Sequence, residues 1–123
     1  MKKNIYIKFV LLLLAFNTAA FAQDKVTTGA KNITDAQKGQ LKLDDAQYKK
    51  VYDINIAFLT DLQAVKSSGE GRMAKAKTLK AIDKTRDEKM EAILTPVQYK
   101  TFLSKKKENR TKMKEWYQEN KKN

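Results

Sequence analysis

The chain has no cysteine and no histidine among its 123 residues, one proline and four glycines. Without thiolate or imidazole it lacks the usual ligands for zinc and copper, and the usual nucleophile and general base of hydrolases. Catalysis is therefore not expected, and no cofactor or metal is assigned. No glycine-rich phosphate loop is present either, which leaves no nucleotide site to expect. The absence of cysteine also removes disulfides as a way of offsetting a small core, so stability has to come from helix packing. The acidic residues that remain as hard-cation candidates, Asp87, Glu88 and Glu91, are interleaved with lysine on one helical stretch and read as a solvated face. No alternating strand pattern occurs anywhere, which points to an all-α fold.

What is present begins with helix-start chemistry. In Leu94-Thr95-Pro96-Val97-Gln98-Tyr99, Thr95 suits the N-cap, Pro96 the first helical position where no donor is needed, and Gln98 the third, from which its side chain reaches back to the cap. Leu94 and Tyr99 occupy the two positions of a hydrophobic staple. The same construction stands 51 positions earlier as Leu43-Asp44-Asp45-Ala46-Gln47-Tyr48, with Asp44 as cap, Gln47 closing the box and Leu43/Tyr48 as staple. A third box, Ile33-Thr34-Asp35-Ala36-Gln37, has Lys38 where the staple needs an apolar residue and predicts only a short, weak helix.

Two L-[T/D]-x-x-Q-Y-K copies over residues 41–114 of a basic helical chain resemble the LTXXQ-motif family of periplasmic stress proteins, the Spy- and CpxP-like proteins. The second copy matches the family pattern; the first carries Asp44 where threonine is usual, a substitution that keeps the capping function. The resemblance implies a curved all-helical homodimer whose concave basic surface binds unfolded proteins without ATP. It equally implies, from the CpxP-like branch, a regulator that docks on the sensor domain of an envelope-stress kinase and damps it.

The first 22 residues have the form of a cleaved secretory signal: Lys2 and Lys3, an apolar run from Phe9 to Phe16, and Ala20-Phe21-Ala22 before Gln23. The run is too short for a stable membrane anchor. Residues 23–42 are polar with little periodicity and predict a mobile arm; residues 43–123 predict the helical domain. Three of the 26 basic residues and none of the 14 acidic ones lie in the signal, which leaves +9 on the remainder. Residues 24–66 hold seven basic and six acidic side chains, residues 67–123 sixteen and eight. Export makes acidic or unfolded envelope proteins, lipopolysaccharide and phospholipid head groups the expected partners of that excess, with nucleic acid as the runner-up.

Three long antiparallel helices in a thin, elongated layer are expected, over about Asp45–Lys66, Arg72–Ile93 and Pro96–Asn120. On the first, Val51, Ile54, Phe58, Leu62 and Val65 form one apolar stripe and Tyr48, Tyr52, Ile56 and Leu59 a second. Together they span an arc of roughly 200°, wider than the ~100° that packing on one layer requires. Either this helix sits centrally between the other two, or part of the arc belongs to a homodimer interface or a client surface. On the other two helices cations interrupt the stripes: Arg86 among Leu79, Ile82, Met90 and Ile93, and Lys106 and Arg110 among Tyr99, Phe102 and Leu103. Snorkelling would explain that pattern, and so would a surface that captures unfolded acidic chains. The candidate client-binding residues are therefore Arg86, Met90, Leu103, Lys106 and Arg110, with Tyr48, Tyr52 and Leu59 as the alternative surface.

Overall fold

A computed structural model describes residues 23–121; the signal-like segment 1–22 lies outside the described residues. The regular structure within them is helical: α1 over residues 23–41, α2 over Asp45–Ser67, α3 over Arg72–Ile93 and α4 over Pro96–Lys121. Among the described residues there are thus four helices, and the expectation of three is corrected.

The added helix occupies the stretch expected to be a mobile arm. Val26, Ala30, Ile33, Thr34, Gln37 and Leu41 are all buried, and their spacing is that of one helical stripe. The stripe is hard to read because half of it is small or polar. Its polar members are partly satisfied by hydrogen bonds: the Thr34 hydroxyl donates to the Ala30 carbonyl at 2.6 Å, and Asn55 Nδ2 on α2 donates to Thr34 Oγ1 at 2.9 Å and Gln37 Oε1 at 2.8 Å, while Gln37 Nε2 and Asn55 Oδ1 find no partner among the described residues. Thr34 therefore lies inside a helix, and the third box does not start one.

The other two boxes form as the spacing requires. The Gln47 N–H donates to Asp44 Oδ1 at 2.7 Å while the Asp44 N–H donates to Gln47 Oε1 at 3.2 Å. At the second, the Gln98 N–H donates to Thr95 Oγ1 at 3.2 Å and the Thr95 N–H to Gln98 Oε1 at 3.0 Å. The turns that lead into them differ. After α1, Lys42 takes a left-handed conformation with φ 54° and the Leu43 N–H returns to the Lys38 carbonyl at 3.2 Å, a Schellman-type stop with lysine where glycine is usual. After α3, Leu94 is extended and its N–H returns to Met90 O at 2.9 Å.

The chain is thus two helical hairpins in tandem, α1/α2 and α3/α4, each turning on a capping box. Both turns sit at one end of the bundle, where Leu41, Leu43, Val51, Ile54, Met90, Leu94 and Phe102 form a buried cluster against which Ile93 and Tyr99 pack. A second cluster joins Val26, Ala30 and Ile33 of α1 to Phe58 and Leu59 of α2, with Tyr52, Ile56, Leu62, Ile82 and Trp116 packed against it. The second stripe of α2 is therefore covered by α1. The wide arc that motivated a homodimer is accounted for within one chain.

At the end away from the turns, the Trp116 indole N–H donates to the Lys25 carbonyl at 3.2 Å and ties α4 to the start of α1. Gly29 makes this possible. A Cβ there would stand 2.8 Å from Cδ1 and Cε2 of the indole ring, too close for any real contact.

Candidate functional site, a cation-rimmed apolar groove

The two turns clasp each other through the side chains that close their boxes. Gln47 Nε2 donates to Gln98 Oε1 at 2.7 Å, and Gln98 Nε2 donates to Gln47 Oε1 at 3.1 Å. Each amide also reaches the helix end of the opposite hairpin, Gln98 Nε2 to Leu41 O at 3.1 Å and Gln47 Nε2 to Ile93 O at 3.4 Å. Leu43 and Leu94 are buried beneath the clasp. Leu43, Asp44, Gln47, Leu94, Thr95, Pro96 and Gln98 thus build the turns and join the hairpins.

The repeat extends to the middle of each hairpin. Asn55 on α2 bridges to Thr34 and Gln37 on α1. Lys106, the residue 51 positions later, bridges to Asp83 at 2.7 Å and Asp87 at 2.5 Å on α3. A neutral clasp in one hairpin has become an ionic one in the other.

Arg86 is the centre of that ionic cluster and is only 4 % exposed. Its Nη2 lies 2.6 Å from Asp83 Oδ1, its Nε lies 3.6 Å from Asp87 Oδ1, and its guanidinium stands over the rings of Phe58 at 4.3 Å and Phe102 at 5.7 Å. Burial pushes Arg86 below its ordinary pKa against the pull of Asp83 and Asp87, yet an arginine stays charged. Burial also works against charge on Asp83, but the hydrogen bond from Lys106 and the fields of Arg86 and Arg110 outweigh it and hold the carboxyl below the ordinary value. At Lys106 burial is likewise outweighed, here by hydrogen bonds to Asp83 and Asp87, and the ammonium is held above its ordinary value.

These contacts sort the candidate residues. Arg86 does not snorkel to water, Met90 is wholly buried in the core at the turns, and Leu59 is wholly buried against α1. Tyr52 is half-buried in the same packing, and Tyr48 sends its hydroxyl to Asp35 Oδ1 at 2.5 Å with Lys38 over its ring. Burial takes Arg86, Met90 and Leu59 out of reach of a client, a correction to their expected exposure, whereas Tyr48 and Tyr52 keep part of their surface in water while packing against α1. Lys106 is half-buried and engaged by both carboxylates. Leu103 and Arg110 are exposed.

Beside the ionic cluster, towards the end of the bundle away from the turns, lies an open groove of about 600 Å³. Phe58, Leu62 and Val65 of α2 and Ala76 and Leu79 of α3 give it apolar walls; Lys66, Lys75, Lys80, Arg110 and Lys114 stand around it, with Arg86 and Asp83 at one end. Leu79 is 42 % exposed there. Of the eight client candidates only Arg86 and Arg110 line it. Leu62, Val65 and Leu79 belong to the apolar stripes visible in the sequence; Lys75 and Lys80, flanking Ala76 and Leu79 on successive turns of α3, were the overlooked signal.

Among the described residues Asp83 is the only carboxylate of the lining, and it is engaged by Arg86, Lys106 and Arg110. Lys75, Lys80 and Lys114 make no ion pair with any described residue. The groove therefore offers apolar surface and uncompensated positive charge together. No group of acidic side chains suited to a metal ion occurs among the described residues, nor any helix long and apolar enough to cross a membrane.

A family model described as "Domain of unknown function (DUF4890)" matches residues 17–102. The chain belongs to the DUF4890 family. The DUF4890 match takes in both capping boxes, the Gln47/Gln98 clasp, Arg86 and the α2 and α3 walls of the groove, and ends before Arg110 and Lys114 of α4. No characterised protein and no solved structure matches the chain.

Proposed function

We propose that this DUF4890 protein is an ATP-independent, holdase-type chaperone of the periplasm that binds unfolded or acidic envelope proteins. The observation that carries the proposal is the groove, where apolar walls share one opening with Lys75, Lys80 and Lys114, which pair with no described carboxylate. Long-range attraction draws in an acidic segment, and short-range burial of its apolar side chains then retains it. The client's backbone stays in water at the mouth, so binding is loose and sequence-tolerant. Export is supported by the signal-like residues 1–22, and the LTXXQ resemblance of the two turns points to the same class.

The test is aggregation of chemically denatured model clients, one acidic and one basic, with the purified protein and no nucleotide. Protection of the acidic client that weakens as salt rises, with little protection of the basic one, supports the assignment. Aggregation of both clients at an unchanged rate overturns it.

A further inference from the structure

The groove runs along α3 from Lys75 to Arg86, roughly 16 Å at a helical rise of about 1.5 Å per residue, and its volume falls within the range of about 300–1,000 Å³ usual for small-ligand sites. Its walls are α-helical throughout, so their backbone N–H and C=O groups are consumed within the helices. Among the described residues the lining side chains are apolar, cationic or, at Asp83, already engaged, and none of them is a neutral hydrogen-bonding group. An extended peptide pressed fully into the groove would bring an amide at every residue and find nothing to pair with it. A saturated hydrocarbon chain brings none. A second copy of this chain is disfavoured by the same lysines, since the chain carries a large excess of positive charge. What the groove complements is a linear apolar tail ending in a negative charge.

We propose that the groove binds one free long-chain carboxylate, its tail along Phe58, Leu62, Val65 and Leu79 and its head among Lys75, Lys80 and Lys114. The lysines without ion pairs select the sign of the head, and the helical walls select a tail without polar groups. The site needs the groove alone and stands whether or not the protein protects unfolded clients. If both hold, the carboxylate and the client compete for one opening.

The probe is sodium laurate, kept below its micelle concentration and titrated calorimetrically into the purified protein. Saturable binding of one laurate per chain is expected, with butyrate failing for want of a tail and dodecyltrimethylammonium failing for its charge. Replacing Lys75, Lys80 and Lys114 together by glutamine removes three exposed partners of modest strength and should weaken laurate about tenfold. Leu79→Glu, at an exposed position, puts a carboxylate in the path of the tail and should abolish binding with helix content unchanged. Equal binding of the cationic detergent, many laurates per chain, or no effect of the lysine triple variant would overturn the proposal. So would an acidic amphipathic peptide that binds with the expected lysine dependence while laurate does not bind, since the groove would then belong to a protein helix. A protein that binds laurate but fails to protect clients would leave the site standing and remove the chaperone function; the reverse outcome would do the opposite.

Discussion

Replacing Arg86 by glutamine is expected to destabilise the fold, with any loss of client protection following from unfolding. Removing one partner from a buried ion pair costs about 3–5 kcal/mol when the other charge is left alone. Here neither carboxylate is left alone, because Lys106 holds Asp83 at 2.7 Å and Asp87 at 2.5 Å, and their side chains retain 27 % and 17 % exposure. That lowers the penalty. Against it stands the loss of the guanidinium over Phe58 at 4.3 Å, a cation–π contact worth about 1–2 kcal/mol when desolvated. About 2–3 kcal/mol in total is expected, a melting point lower by roughly 10–20 °C for a domain of this size. Thermal unfolding followed by circular dichroism reads the shift, and client protection is then compared at a temperature where both proteins are folded; equal protection is the expected outcome. A variant that melts with the parent yet fails to protect would refute the reasoning and make Arg86 a contact residue.

The glutamine clasp predicts strong coupling: Gln47→Ala and Gln98→Ala should each cost about 1–3 kcal/mol, and the double variant less than their sum by about 0.5–3 kcal/mol, as urea denaturation of the four proteins would show. Gly29→Ala, which in an ordinary helix would stabilise, should instead displace the indole of Trp116 and break its bond to Lys25; because the chain has a single tryptophan, its fluorescence reports the displacement directly, and an unchanged spectrum with a raised melting point would count against that docking. Asp83 titrates below its ordinary value in the fold, so its contribution to stability is present above pH about 4, its unfolded range, and is lost as pH falls through the lowered folded value. Asp83→Asn should flatten the acid limb of a melting-point-against-pH curve, and parallel limbs for the two proteins would contradict that origin.

What the sequence displayed plainly was local chemistry. A capping box is written in four consecutive residues, so both turns and the starts of α2 and α4 were legible, as was the loop before α3. The partners of those boxes were not, because Gln47 and Gln98 meet across 51 positions and nothing in either segment announces the other. α1 was missed for a different reason. Its buried stripe is built largely from Ala30, Thr34 and Gln37, whose burial depends on Asn55 coming across from α2. Arg86 was visible as a cation inside an apolar stripe, a pattern that either snorkelling or pairing produces; the carboxylates that decide for pairing lie on its own helix, but the rings it covers lie on α2 and α4. The groove was legible in its parts, as apolar stripes and an excess of lysine in the second half. Its opening was not, since that depends on how α4 approaches α2 and α3.

The most direct test of the function is aggregation suppression by the parent protein and by the variant in which Lys75, Lys80 and Lys114 are glutamine, measured side by side with a denatured acidic client at low and physiological salt and without nucleotide. The parent should protect, and protect better at low salt. The variant, equally stable by thermal melting, should protect less and show a flattened salt dependence. Equal protection by both proteins at every salt concentration would contradict the claim that this groove is where clients are captured.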